Sequence, residues 1–190
     1  MSPERAWLAD ERSSVARDRI LTVAEELFFR DGVAEVTMRQ IADAAGCSRA
    51  TLYRYFPGRT DLDLAYIDRT TGEIARIIGE KTAGIADPSD RLVAAVRTAI
   101  AGVQDNPALM AWFSPDSAAA TGALAMSSDM INAVTGRFVA LLGGPGDASD
   151  VAWIVRVVVS FLIVPASEDI DHLVRRYVVP VIVTGDERAP

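Results

Sequence analysis

The sequence predicts an all-α chain in two parts, three short helices followed by six longer and more apolar ones. Three observations carry this expectation. Clustered apolar residues recur at helical rather than alternating spacing, as in Ile20, Leu21, Ala24, Leu27 and Phe28. A capping residue followed by proline, which starts helices, occurs at Asp87-Pro88, Asn106-Pro107 and Ser114-Pro115. No segment alternates like a strand, and there is no internal repeat or low-complexity stretch.

The first helix buries the face just named, at i, i+1, i+4, i+7 and i+8, and stops near Asp31-Gly32. Thr37 caps a second helix with Met38, Ile41, Ala42 and Ala45 inward, and Gly46, able to take positive φ, ends it. Ser48 caps a third, in which Leu52 and Phe56 face inward and after which Pro57-Gly58 closes the unit. "RTDLDLAYIDRTTGEIARIIGEKT" reads as one long helix with Leu62, Ala65, Ile74, Ile77 and Ile78 inward. The three proline signals start helices near 88–104, 107–113 and 115–142, and "GGPGD" at 143–147 is a loop. Two more helices are expected at roughly 149–165 and 169–183, the last kinked at Pro180. The expected domains are 14–60 and 61–185; the parts join inside the fourth helix, so a rigid connection is expected.

The 190 residues are 50% hydrophobic, enough for a sizeable core. The net charge of −7 falls wholly on residues 61–190, whereas residues 1–60 balance nine arginines against nine acids. Within 36–59, Arg39, Arg49, Arg54 and Arg59 face Asp43 alone, so one short segment of an acidic protein is cationic. Cys47 is the single cysteine and His172 the single histidine, which leaves no disulfide framework and no metal-ligand cluster. His172 reads as a surface or interface residue. There is no phosphate loop, nucleophile elbow or catalytic cluster, so no enzyme, cofactor or metal is expected. The first residues lack the apolar run of a signal peptide, and the longest apolar stretch, 151–165, is too short to span a bilayer. A cytoplasmic protein without membrane contact is expected.

"CSRATLYRYF" at 47–56 places two arginines and two tyrosines directly after a glycine turn. Helix, turn and helix is the unit whose second helix enters the major groove of DNA. With about 100° of rotation per residue, and Leu52 and Phe56 inward, Arg54 points outward between Ala50 and Thr51. Tyr53 and Tyr55 lie on the flanks, and Arg49 reaches past the helix start. Small Ala50 and Thr51 permit close approach and can touch a thymine methyl, while Arg49 and Arg54 can bind guanine or phosphate. The tyrosine hydroxyls suit phosphates on either wall, and Arg39 and Arg59 bracket the helix with further charge. Thr37, Gln40 and Ser48 complete the expected DNA-facing set.

Residues 20–62 closely resemble, without a gap, the DNA-binding domain of TetR-type transcriptional regulators. The match includes Phe28 and Gly32 of "F-x-x-x-G", the "T-x-x-x-I-A-x-x-A-G" second helix and the "S-x-x-T-L-Y-x-Y-F" third helix. Cys47 replaces a usual valine and Arg59 a common lysine. The resemblance implies an all-α homodimer reading a palindromic operator. It also implies a small effector in the larger domain and a dimer interface built from the last two helices, about 149–183. Repression relieved by a largely apolar effector is the expected mode. A binding or interaction module with a vestigial DNA head is the alternative.

In the larger half the penultimate helix is apolar on nearly every side, as a helix between its own domain and a partner subunit would be. The last helix carries Leu173, Val174, Tyr177, Val178 and Val181 as its apolar residues. Met110, Trp112, Phe113, Met126, Met130, Phe138 and Trp153 are candidates for an effector cavity, since methionine and aromatic rings adapt to varied apolar shapes. Arg97 and Asp129, each set among apolar neighbours, are candidate polar anchors there, or pair with one another.

Overall fold

The computed structural model describes residues 3–144, 146–166 and 168–184, with side chains from Ser13 onward. The expected domain end at 185 and Pro145 of the 143–147 loop lie outside the described residues. Among the described residues every regular element is helical. The chain divides between Tyr66 and Ile67 into two compact units.

In the first unit, α1 (Pro3–Asp31) buries the expected face: Ile20, Leu21, Ala24, Leu27 and Phe28 are all at most 4% exposed. Gly32, at φ +84°, ends it by donating to the Phe28 carbonyl at 3.1 Å. The helix starts earlier than its apolar pattern, because the charged run before Ile20 has no strong breaker after Pro3. In α2 (Met38–Ala45) the Thr37 hydroxyl accepts the Gln40 N–H, and the Gln40 side chain accepts the Thr37 N–H at 2.8 Å. This reciprocal cap satisfies two otherwise orphaned donors. Ile41 and Ala42 are fully buried, Met38 half-buried, and Gly46 at φ +67° closes the helix.

In α3 (Arg49–Tyr55) the Ser48 hydroxyl accepts the Thr51 N–H at 3.1 Å. The first turns of α4 (Arg59–Thr82) bury Leu62 and Tyr66 completely. Tyr66 meets Phe28 edge to face at 5.5 Å, and its hydroxyl donates to Glu25 at 3.3 Å. Full burial of each such side chain contributes about 1.5–3 kcal/mol.

The second unit starts within α4 and continues through α5 (Pro88–Gln104), α6 (Pro107–Met110) and a 3-10 turn at Ala111–Phe113. Asp87 and Asn106 cap α5 and α6 with proline in the first turn, as expected. The single helix expected at 115–142 is instead two, α7 (Ala118–Ser127) and α8 (Asp129–Leu141). Ser128 separates them: its ψ of 117° is extended, and its hydroxyl accepts the Ile131 N–H at 3.1 Å, restarting the helix. Pro115 does not open α7. The Ser114 carbonyl accepts from both Ser117 and Ala118 at 2.9 Å, so a turn precedes the helix.

α9 (Ala148–Ile163) is capped by Asp147, which accepts from Ser149 and Asp150 at 2.7 and 3.0 Å. The last helix is broken near the expected kink into α10 (Ile170–Tyr177) and α11 (Val179–Ile182). Val174, Val178 and Ile182 anchor both segments, at most 3% exposed. Two ion pairs fasten α10 to α5, Arg97–Asp171 at 3.0 Å and Arg175–Asp90 at 2.7 Å.

Candidate nucleic-acid interface and the cavity of the second unit

The polarity of α3 follows from two residues. Leu52 and Phe56 are fully buried, and Arg17 covers the Phe56 ring at 4.8 Å. With that side fixed inward, Arg49, Ala50 and Arg54 are exposed, Tyr53 is 47% exposed, and Thr51 and Tyr55 are half-buried on the flanks. The Arg54 guanidinium lies over the Tyr55 ring at 5.2 Å, an arrangement that leaves its hydrogen-bond donors at the surface. Ser48 and Thr51 hydroxyls stand 2.9 Å apart at the helix start.

At the start of α2, Thr37, Arg39 and Gln40 are exposed. Thr37 and Gln40 are tied into the reciprocal cap, while Arg39 holds Asp43 loosely at 3.6 Å across solvent. Such exposed pairs contribute well under about 1 kcal/mol and yield readily to a phosphate.

Arg59 departs from expectation. Read from the sequence as a phosphate contact, it is instead turned into its own unit. Its guanidinium donates to Asp63 at 2.7 Å, to the Val33 carbonyl at 2.9 Å and to the Val36 carbonyl, and it lies over the Phe28 ring. It thereby ties the start of α4 to the turn between α1 and α2. Burial pushes the Asp63 carboxyl above its ordinary value, opposed by the hydrogen bond and charge of Arg59. The exposed cations of this surface are therefore Arg39, Arg49 and Arg54, against Asp43. Cys47, free and half-buried, sits in the turn before α3.

The second unit holds a half-open cavity of about 410 Å³. Its walls come from α4 (Ile74, Ile78), α5 (Val96, Ala99), α8 (Val134, Phe138) and α9 (Val155, Val158), with Trp112 and Phe113 between. Trp112, Phe113 and Phe138 were expected there. The other candidates do not line it. Met126 packs instead on Ala125, Val151 and Val155. Met130 and Trp153 are exposed, at 38% and 41%, because each lies on the outer side of its helix. Met110 is half-buried outside the cavity. Arg97 faces outward to Asp171, and Asp129 is exposed in the first turn of α8, so neither anchors the interior nor pairs with the other. His172 is exposed.

The residues missed carried a weaker signal. Ile74 and Ile78 look like ordinary core at i, i+4, and Val134, Phe138 and Leu141 repeat at i, i+4, i+7 on α8. Periodicity identifies an inward face, and it cannot say whether that face meets a neighbour or a void. Among the described residues no helix is long and apolar enough to cross a membrane.

Comparison with known proteins bears on both units. Residues 20–66 match the model of bacterial regulatory proteins of the tetR family. The chain is 39% identical over 189 residues to the HTH-type transcriptional regulator Rv1255c of Mycobacterium tuberculosis, covering 96% of this chain and 93% of that protein. The solved structure of RolR in complex with resorcinol shares the fold at a TM-score of 0.71 and 16% identity, covering 91% of this chain and 90% of RolR. The TetR family repressor AlkX from Dietzia sp. strain DQ12-45-1b, implicated in biodegradation of n-alkanes, shares it at 0.63 and 22%, covering 87% and 92%. A helix-turn-helix unit with an exposed cationic third helix, and a relative matched along nearly its whole length, lead to one conclusion: the chain belongs to the TetR family of HTH-type transcriptional regulators.

Proposed function

We propose that this regulator is a cytoplasmic repressor that binds a palindromic operator as a homodimer and is released by a small, largely apolar effector. The two-sidedness of α3 carries the reading: Leu52 and Phe56 fully buried, Arg49, Ala50, Tyr53 and Arg54 exposed opposite them. In a major groove, Arg49 and Arg54 bind guanine edges or phosphates, and Ala50 and Thr51 let the backbone approach thymine methyls. Tyr53, Tyr55, Arg39 and the capped ends at Thr37, Gln40 and Ser48 fix the docking on phosphates.

Exposed apolar residues on the last helices support the dimer. Trp153, Ile163 and Val164 of the α9 region and Tyr177 and Val181 of the α10–α11 region are all at least 37% exposed. An apolar surface of this kind suits a second copy of the chain across a twofold axis. That axis would set two α3 helices about 34–36 Å apart, or a multiple of it, to read a palindrome.

The apolar cavity supports the effector, and RolR, of the same fold, is known bound to resorcinol. Effector and DNA then compete by favouring different members of one conformational equilibrium. The test is a gel shift with the DNA upstream of the protein's own gene and its neighbours. A specific shift that weakens steeply with salt is expected, and its absence on every such fragment would count heavily against the repressor.

A further inference from the structure

The inference rests on reading the second-unit cavity as the effector site, and concerns the chemistry of what fills it. The lining is lopsided in charge. One charged side chain, Arg137, borders the cavity, and no acidic residue does. Arg137 and Leu141, one turn apart on α8, line the cavity while exposed to solvent, so they mark its open edge.

Arg137 also differs from several neighbours in the same unit. Arg76, Arg97 and Arg175 each hold a carboxylate, at 2.6, 3.0 and 2.7 Å. Among the described residues no carboxylate pairs with Arg137. Apart from threonine hydroxyls, the interior offers a charge no partner. The Thr70 and Thr121 hydroxyls donate to the carbonyls of Ile67 and Trp112 at 3.0 and 2.5 Å. Thr71 and Thr135 add two further hydroxyls, and the rest of the wall is almost entirely aliphatic and aromatic. An ion buried there would exchange its hydration for a few hydroxyls and no opposite charge, whereas an anion at the edge would meet a planar, bidentate cation.

We infer that the effector is an amphipathic monoanion, with an apolar chain or ring inside the cavity and a single carboxylate-like group held at the edge by Arg137. A dianion has no second cation to meet, and a cation would face Arg137 itself.

Calorimetric titration of the full chain with two matched pairs tests this: decanoate and methyl decanoate, then 4-phenylbutyrate and its methyl ester. At least one acid should bind about tenfold more tightly than its ester, and the pair that does so tells chain from ring. Arg137→Gln, at an exposed position, should bring that acid down to the level of its ester and leave the ester unchanged; Arg137→Lys should restore part of the difference. Esters that bind as well as their acids, or an acid preference that survives Arg137→Gln, would overturn the monoanion. So would no binding by any of the four. Ala99→Trp, which fills the cavity, separates this failure from failure of the site. Ester binding abolished by Ala99→Trp keeps the cavity and rejects the anion. Acid binding untouched by it, in a variant with unchanged circular dichroism, rejects both.

Discussion

The Ser128 hydroxyl donates to the Asp68 carboxylate at 2.8 Å while accepting the Ile131 N–H at 3.1 Å, so one buried atom joins α4 to the start of α8. Ser128 is 1% exposed. The same residue breaks the long helix the sequence suggested and aims α8, which carries Val134, Arg137 and Phe138 to the cavity.

Ser128→Ala removes both bonds and should lower the unfolding free energy by about 1.5–3 kcal/mol, combining the loss of a cap with that of a charged hydrogen bond. Ser128→Gly separates the two, because glycine at a cap costs only a few tenths of a kcal/mol. A glycine variant nearly as damaged as alanine in urea titration would assign the effect to Asp68. A glycine variant near wild type would assign it to the cap alone.

Arg59 makes the opposite case, a cation whose donors are directed inward. Arg59→Lys keeps the charge and loses the fork that reaches Asp63, Val33 and Val36 together. Stability should fall by about 1–3 kcal/mol. The salt dependence of DNA binding should keep its slope, whereas Arg39→Gln or Arg49→Gln should reduce it by about 0.9 for each phosphate no longer neutralised. A slope lowered by Arg59→Gln at unchanged stability would return this residue to the DNA surface.

Arg54 stands nearly opposite Leu52 and Phe56 on α3, where a proposed reading head has its farthest reach. Arg54→Ala should weaken operator binding by about 1–3 kcal/mol and relax preference at one base position. An equal loss on every sequence would make it a phosphate contact. Tyr55→Phe, which deletes a hydroxyl and leaves the ring beneath Arg54, should lower affinity without altering preference; competition assays over a randomised operator read both.

The first unit was more legible in sequence than the second, for a physical reason. Its turns are enforced by single residues whose chemistry is local: the Thr37–Gln40 cap, Gly46 at positive φ, and Ser48 with Leu52 and Phe56 four residues apart. The cavity is a property of packing between distant helices. Met126 and Phe138 look equally suited to it in sequence, yet one packs on Val151 and the other borders the void. The inward turn of Arg59 has the same origin. Its position after Pro57-Gly58 suggested solvent and phosphate, and only the fold brings the Val33 and Val36 carbonyls within its reach.

Two adjacent glycines near the end of α8 resist substitution for different reasons, which a pair of variants can tell apart. Gly143 has φ +86°, and a Cβ there would meet nothing within 4 Å. Its cost is conformational: about 1–2 kcal/mol for alanine in the left-handed region, partly relieved by asparagine. Gly144 is limited by space, since a Cβ would lie 2.7 Å from the Ile182 carbonyl oxygen and 3.0 Å from the Val139 side chain. Gly144→Ala must displace the backbone of α11, whose Ile182 is fully buried, and should cost about 1–3 kcal/mol. Asparagine should therefore recover stability relative to alanine at 143 and lose further at 144. Equal behaviour at the two positions in thermal unfolding would show that the loop slides clear of α11 and that the close approach at Gly144 is not enforced.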